Sequence, residues 1–300
     1  MDHKKLKSEN TKLVIAISSR ALFNLDQSHK IFKEEGIEAY AKHQQENEQV
    51  ILEPGVGFTL VKKLLKLNSK KTPIDVILLS RNSADTGLRI FNSIEHYDLN
   101  ISRAAFTRGE STHPFVGAFE ADLFLSSNYN DVQKALQSGY AAASIVESKS
   151  NNSHPSQLRI AFDGDAVIFS DEAERIFQEK GLEAFHENEI LSEKIELKAG
   201  PFKSFLVSLQ KIQSTFPEED NPIRTALVTA RSAPSHRRVI HTMREWGIRI
   251  DESFFLGGLE KGVFLRQFAA DIFFDDQQQH CESASQYVPT GHVPSGIKNS

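Results

Sequence analysis

Arg159-Ile-Ala-Phe-Asp163-Gly164-Asp165-Ala-Val-Ile-Phe-Ser170-Asp171 sets two carboxylates, two residues apart, at the end of an apolar run. Leu158 to Phe162 reads as a buried strand. Gly164 permits a sharp turn, so that Asp163 and Asp165 can face one small volume. One carboxylate so placed can attack while the other moves a proton, which is the layout of a phosphoryl-transfer site. Alone, an Asp-x-Asp pair also suits a helix cap or a turn, so the rest of the chain has to decide.

The same stretch occurs twice. Ile15 through Tyr40 aligns without a gap to Ile160 through Phe185, and about ten of the pairs are identical, among them Ala21/Ala166, Asp26/Asp171, Phe32/Phe177 and Gly36/Gly181. Val76–Arg81 pairs with Ala226–Arg231, and Asp122–Ser127 with Asp271–Asp276. Two related α/β halves are expected, residues 1–148 and 157–300, divided by the polar, turn-forming stretch Glu147–Ser156. In each half short apolar runs (Leu13–Ile17, Ile74–Leu79, Asp122–Leu125; Leu158–Phe162, Ala226–Val228, Asp271–Phe274) alternate with helical patterns such as Phe58–Leu67 and Phe202–Ile212. That alternation predicts mainly parallel sheets flanked by helices, with ligands beyond the carboxyl ends of the strands. Two lobes with a cleft between them are expected, one continuous sheet being the alternative. The stretch after Gln277 reads as irregular and partly frayed.

Composition narrows the function. A hydrophobic content of 39% over 300 residues fills real cores, and a net charge of −5 with both signs interspersed leaves no footprint for nucleic acid or anionic lipid. Cys281 is the single cysteine, so no intrachain disulfide forms. The opening Met1–Asn10 has no apolar signal region, and Leu13–Ile17 is too short to span a membrane. A cytoplasmic protein is expected. Eleven histidines without cysteine partners argue against structural zinc. Gly257-Gly258 lacks the spacing of a phosphate loop, and His186-Glu187-Asn-Glu189 lacks the second histidine of a metalloprotease helix.

Four elements of the second half supply what transfer of a dianionic phosphoryl group needs. Asp163 is the candidate nucleophile and Asp165 the candidate acid/base. A carboxylate meeting a phosphate dianion needs a cation, and Asp163, Asp275 and the backbone carbonyl of Asp165 offer hard oxygen ligands for Mg2+, with Asp276 behind them. Thr229 and the backbone at Ala230 could hold phosphoryl oxygens at a helix start, with Arg231 in the same turn a candidate substrate contact. Lys261 adds a point charge. Singly, Thr229 also suits an ordinary helix cap, Lys261 a solvated surface cation and His280 a surface histidine. Adjacent acids at the end of the apolar run Ile272–Phe274 have no such structural reading, and a shared metal resolves the conflict.

The repeat supplies an internal control. The first half has Ser18 for Asp163, Arg20 for Asp165, Leu79 for Thr229, Thr112 for Lys261 and Ser126-Ser127 for Asp275-Asp276. Neither an acyl phosphate nor a Mg2+ site can form there, so this half is expected to be catalytically degenerate. Arg20, Asn82 and their neighbours Ser80, Arg81 and Arg89 remain candidates for recognising an anion or a base, or simply cap strands and pair with acids.

At this point the residues resemble the haloacid-dehalogenase superfamily of phosphohydrolases, with its Asp-x-Asp, Ser/Thr, Lys and terminal acidic pair. Ala16–Phe23, Asn92–Leu99, Phe162–Glu172, Pro222–Thr225, Val228–Ser232 and Phe274–Gln277 are similar to the cytosolic 5'-nucleotidase type I family, across both halves. The resemblance implies two Rossmann-like halves and Mg2+-dependent hydrolysis of nucleoside 5'-monophosphates, AMP foremost. It implies Asp163 as nucleophile, Asp165 as acid/base, Asp275 as metal ligand, and Thr229 and Lys261 as phosphate binders. The degenerate half would contribute to the nucleotide pocket or to a regulatory site for a nucleotide effector. Asp165, in place of the Thr found in the superfamily's ATPases, favours a phosphatase. Competing readings are a phosphatase for another small metabolite, since Asp163, Thr229 and Lys261 do not read the leaving group, and a nucleotide-binding regulatory protein with incidental turnover. Base selectivity and oligomeric state have no signature in the sequence.

Overall fold

A computed structural model describes residues 12–69, 72–146, 148, 154 and 156–299, so the opening segment and most of the polar stretch at 147–156 lie outside the described residues. The apolar runs become strands β1 (Leu13–Ser18), β2 (Ile74–Ser80), β3 (Arg103–Phe106), β4 (Leu123–Ser126), β5 (Ala142–Val146), β6 (Leu158–Phe162), β7 (Ile223–Thr229), β8 (Glu252–Phe255), β9 (Ile272–Asp275) and β10 (Thr290–His292). Helices α1 (Ser19–Leu22), α2 (Asp26–Glu46), α3 (Phe58–Leu67), α4 (Leu88–His96), α5 (Pro114–Ala118) and α6 (Tyr129–Gln137) accompany the first five. Helices α7 (Glu172–Leu191), α8 (Lys203–Gln213), α9 (His236–Glu245), α10 (Gly262–Phe268) and α11 (Gln278–Ala284) accompany the rest. Among the described residues no helix is long and apolar enough to cross a membrane.

All ten strands form one sheet in the order β3-β2-β1-β4-β5-β10-β9-β6-β7-β8. The expected pair of lobes is therefore replaced by the alternative, a continuous sheet. The cause is β10, which pairs parallel with β9 and antiparallel with β5, Gly291 opposite Ile145. Every other pairing is parallel. The strands on either side of the β5/β10 seam consequently point to opposite edges of the sheet.

Side chains alternate between the two faces of a strand, and the two faces are built differently. On one face a single apolar core runs from Leu13, Ile15 and Ile17 through Ile145 to Phe162, Phe274 and Val293, covered by α3, α4, α8 and α9. On the other face the core splits in two, around Ala16, Leu79 and Phe124 under α5 and α6, and around Ala161, Val228 and Phe273 under α10 and α11. Polar contacts cross the shared face. Lys63 on α3 lies 2.6 Å from Asp271, and Ser208 on α8 donates to Asp122 at 2.7 Å. Each of those aspartates accepts the amide of the second residue of the neighbouring strand, from Arg159 and Val14 respectively.

Further contacts recur on the two sides. Arg89 donates to Gln44 (3.1 Å) and to the carbonyl of Val50 (2.8 Å), while Arg238 donates to Glu189 (2.8 Å) and to the carbonyl of Ile195 (2.9 Å). The Leu52 amide donates to Ser93, and the Leu197 amide to Thr242. Helices α2 and α7 each break at a glycine, Gly36 (φ 88°) and Gly181 (φ 83°), a conformation open mainly to glycine.

Candidate active site

Strands β6, β7 and β9 run parallel, so their carboxyl ends bring Asp163, Thr229 and Asp275 to one edge. Phe162 pairs with Phe274, and the Asp163 amide donates to the Phe274 carbonyl at 2.8 Å, which sets Asp163 beside Asp275. Gly164 then turns the chain. A Cβ there would lie 3.2 Å from Thr229 Oγ1, so the close approach of these two strand ends suits glycine. Asp165 is extended and Ala166 left-handed (φ 59°), a tight loop that aims consecutive side chains in different directions.

Asp163, Asp275 and Asp276 offer carboxylate oxygens within 4.8 Å of one another, all three residues buried. Lys261, immediately before α10, ties two of them together, with Nζ 2.9 Å from Asp163 Oδ1 and 2.6 Å from Asp275 Oδ2. Asp275 also accepts from the Gln277 amide at 2.8 Å and lies 3.3 Å from His280 Nδ1. Burial works against its charge, yet Lys261 and His280 hold it down at about 2. For Asp163 burial dominates and, with Asp275 and Asp165 adding to it against Lys261, pushes the carboxyl up to about 7. Asp276 goes to about 9, through burial and the neighbouring charges of Asp163 and Asp275. Lys261 is raised above the usual lysine value, because Asp163 and Asp275 outweigh its burial. Neither oxygen of Asp276 has a hydrogen-bond partner. Two orphaned, buried carboxylate oxygens beside two further carboxylates are the donor set of a hard divalent cation, and these residues fit one. Asp276, expected behind the ligands, stands inside the trio.

Asp165 turns away from that trio. Arg231 grips it with two bonds, Nε to Oδ2 at 2.8 Å and Nη2 to Oδ1 at 2.7 Å. The third nitrogen, Nη1, donates to Glu189 Oε2 at 2.5 Å, and Arg238 donates to Glu189 Oε1 at 2.8 Å. The Phe185 ring lies 5.6 Å from the guanidinium. Burial opposes the charge on Arg231, but Asp165 and Glu189 raise its pKa above the usual arginine value. Arg231, expected as a substrate contact, is thus spent on Asp165 and Glu189. In the sequence Glu189 reads only as part of His186-Glu187-Asn-Glu189, an incomplete metalloprotease motif, which gives no sign of this contact. Thr229 is buried and accepts from the Arg231 amide at 3.2 Å, while Ala230 is exposed at the strand end. Helix α9 starts only at His236, so Thr229–Ser232 opens a loop and not the expected helix start.

Residues 278–299 are ordered, contrary to the frayed tail expected, and they brace the acidic pair. The Val293 amide donates to the Asp275 carbonyl at 2.9 Å, and Asn299 Nδ2 to the Asp276 carbonyl at 2.8 Å. His292 Nε2 lies 2.9 Å from that same carbonyl, and Ser295 Oγ bonds the carbonyl of Ala166. The Tyr129 ring of α6 stacks 6.1 Å from that of His292, a contact of the first half with this brace.

Arg20 and Asn82 are not brought to this site. They follow β1 and β2, whose carboxyl ends face the opposite edge, and β1 lies five strand spacings from β6, about 24 Å. Arg20 is exposed and pairs with Asp26 at 3.2 Å, while Asn82 accepts from Tyr40 at 2.6 Å. Register also revises one equivalence. Leu78 and Leu227 hold corresponding positions opposite Ile17 and Phe162, which makes Ser80, and not Leu79, the counterpart of Thr229. At this other end Ser19 and Ser80 bond each other at 3.0 Å, Ser18 accepts the amides of Ala21 and Ser127, and Arg81 forks onto Asp131.

A family model described as 5'-nucleotidase matches residues 5–300. Human cytosolic 5'-nucleotidase 1B is 40% identical over 288 residues, which cover 91% of this chain and 47% of that protein. The chain therefore spans about half the length of the curated relative it matches. No solved structure matches it. With its whole described fold inside the matched region, the chain belongs to the 5'-nucleotidase family.

Proposed function

We propose that this chain hydrolyses nucleoside 5'-monophosphates, AMP preferred, to nucleoside and phosphate, with Mg2+ as cofactor and in the cytoplasm. The observation that carries the reading is the buried trio Asp163, Asp275 and Asp276 with Lys261 bonded to two of its members, in a chain of this family. The cytoplasmic placement draws on the relative's name.

In this reading Asp163 attacks phosphorus, forming an aspartyl-phosphate as the P–O bond to the nucleoside breaks, and Asp165 gives its proton to the departing 5' oxygen. Asp165 then takes a proton from water as that water attacks the acyl phosphate, returning Asp163 and releasing phosphate. Lys261 offsets the charge that Asp163 and the phosphoryl oxygens bring together, and Thr229 with the Ala230 backbone holds those oxygens. Mg2+ would be held by Asp163, Asp275, Asp276 and the backbone carbonyl of Asp165, and would supply the positive charge that keeps these carboxylates ionised and polarises the phosphoryl group.

The two halves, 1–148 and 157–300, are read as copies of one unit with a degenerate first member. Support comes from the mirrored strand orders β3-β2-β1-β4-β5 and β8-β7-β6-β9-β10, and from the matched bonds of Arg89 and Arg238. In this reading the first half has a regulatory role, with Arg20 and Asn82 facing a nucleotide effector, in preference to a share in the substrate pocket; the separation of β1 from β6 supports it.

The test is phosphate release from AMP, IMP, CMP and a sugar phosphate, with Mg2+ or EDTA, for wild type and Asp163→Asn. Metal-dependent release from AMP that vanishes in the variant is expected. Brisk sugar-phosphate turnover with AMP inert would overturn the nucleotidase reading.

A further inference from the structure

Three charged side chains lead from the interior to Asp165. Glu189 has no exposed side-chain surface, and Arg231 only 3%. All three nitrogens of the Arg231 guanidinium are committed, two to Asp165 and one to Glu189. Glu189 in turn is held by Arg238, which is fixed to the Ile195 carbonyl. A two-bond fork sets both the position and the plane of a carboxylate, which a single bond does not. The fork comes from the loop after β7 and is backed by Glu189 of α7 and Arg238 of α9, so the packing of three elements bears on one side chain.

The other half of the chain shows what the network is for. There Gln44 stands for Glu189, Asn82 for Arg231 and Tyr40 for Phe185, while Arg89 keeps the place and the bonds of Arg238. Where Asp165 gives way to Arg20, two of the three charges that lead to it are gone, and Arg89, which ties α4 to the neighbouring loop, remains. Neutral Gln44 and Asn82, linked through Tyr40, suffice for the scaffold there. The pair Glu189 and Arg231 accompanies the acid/base.

We propose that Glu189 and Arg231 are positioning residues for Asp165, and that Arg231 serves the reaction through that carboxylate and not by touching the nucleotide. The inference rests on the hydrolytic reading above. Delivering a proton to a departing oxygen requires the carboxyl at hydrogen-bond distance and correctly turned. Released from the fork, Asp165 would sample other rotamers and spend less time in the productive one.

The substitutions Glu189→Gln and Arg231→Asn copy residues that this chain already carries at Gln44 and Asn82, in a network that packs without them. Each is made alone and in an Asp165→Asn background, and kinetics are measured with Mg2+ on AMP and on p-nitrophenyl phosphate, whose leaving group needs little protonation. The expected result is a loss of at least tenfold in kcat on AMP with KM changed less than threefold. A clearly smaller loss in kcat/KM is expected on p-nitrophenyl phosphate, and less than a twofold further effect in the Asp165→Asn background. A tenfold rise in KM at unchanged kcat would make Arg231 a substrate contact and overturn the proposal. So would losses that multiply with Asp165→Asn, or that are equal on the two substrates, since both mark general damage. If AMP is inert and p-nitrophenyl phosphate is hydrolysed, the nucleotidase reading fails and the Asp165→Asn comparison still decides this one. Hydrolysis of neither overturns both.

Discussion

Lys261 Nζ lies between Asp163 and Asp275, 2.9 Å from one carboxylate and 2.6 Å from the other, with all three side chains buried. A single ammonium thus sets one positive charge against two carboxylates of the trio before any cation binds. Lys261→Met should leave those carboxylates uncompensated and cost about 3–5 kcal/mol of metal-free stability. Catalysis should fall roughly 10²–10³-fold, the loss typical of removing one charge-stabilising group. Urea unfolding in EDTA, with AMP turnover in Mg2+, checks both.

Asp276 has neither oxygen bonded and holds its proton up to about 9, against about 3.9 in an unfolded chain. The folded state therefore binds more protons through that window. Metal-free stability should fall as pH rises from about 4 to about 9, with a slope of up to about 1.4 kcal/mol per pH unit from this group. Asp163, raised to about 7, adds to the lower part of the same window. Asp276→Asn should flatten the profile and leave the metal-free protein more stable than wild type at pH 9. Denaturation midpoints in EDTA across that range measure this.

The same two carboxyls must lose protons to ligate a cation. Mg2+ binding near pH 7 should release roughly one to two protons and should tighten as pH rises toward 9. Calorimetry in buffers of different ionisation heat reads the number directly. A heat independent of buffer would place the cation elsewhere.

Gly164 lies so close to Thr229 that an added methyl would sit 3.2 Å from its hydroxyl. Gly164→Ala should displace Thr229 and lower kcat on the order of tenfold, since small displacements at a reacting centre are costly. Stability should drop by only about 1–3 kcal/mol. Thermal unfolding alongside steady-state kinetics separates the two effects.

The parts of this molecule that were legible in the sequence share one property. Asp163, Thr229 and Asp275 each follow an apolar run, and a run long enough to be a buried strand fixes where its last residue goes. Phe58–Leu67 was legible as a helix for the same local reason, its apolar positions recurring along one face. The joining of the halves was not legible, because it depends on β10, only Thr290-Gly291-His292, flanked by Pro289 and Pro294 and polar in composition. No local pattern marks so short a strand; it forms because β5 and β9 each present an open edge. The bonds of Arg231 to Asp165 and Glu189 were not legible, since spacing shows that it follows Thr229 and not where its guanidinium points. Glu189 and its counterpart Gln44 lie beyond the ungapped repeat, and Asn82 becomes the counterpart of Arg231 only through the strand register, so this network had no signal in the sequence.

The central claim, that Asp163 carries the phosphoryl group, is tested most directly by acid-quenching the Asp165→Asn variant after mixing with phosphate-labelled AMP and Mg2+, then mapping the label. With hydrolysis of the acyl phosphate slowed, the label should accumulate on the peptide that holds Asp163 and be absent when Asp163 is also changed to Asn. Label on another residue, or phosphate release from wild type with no labelled peptide in the variant, would contradict the account.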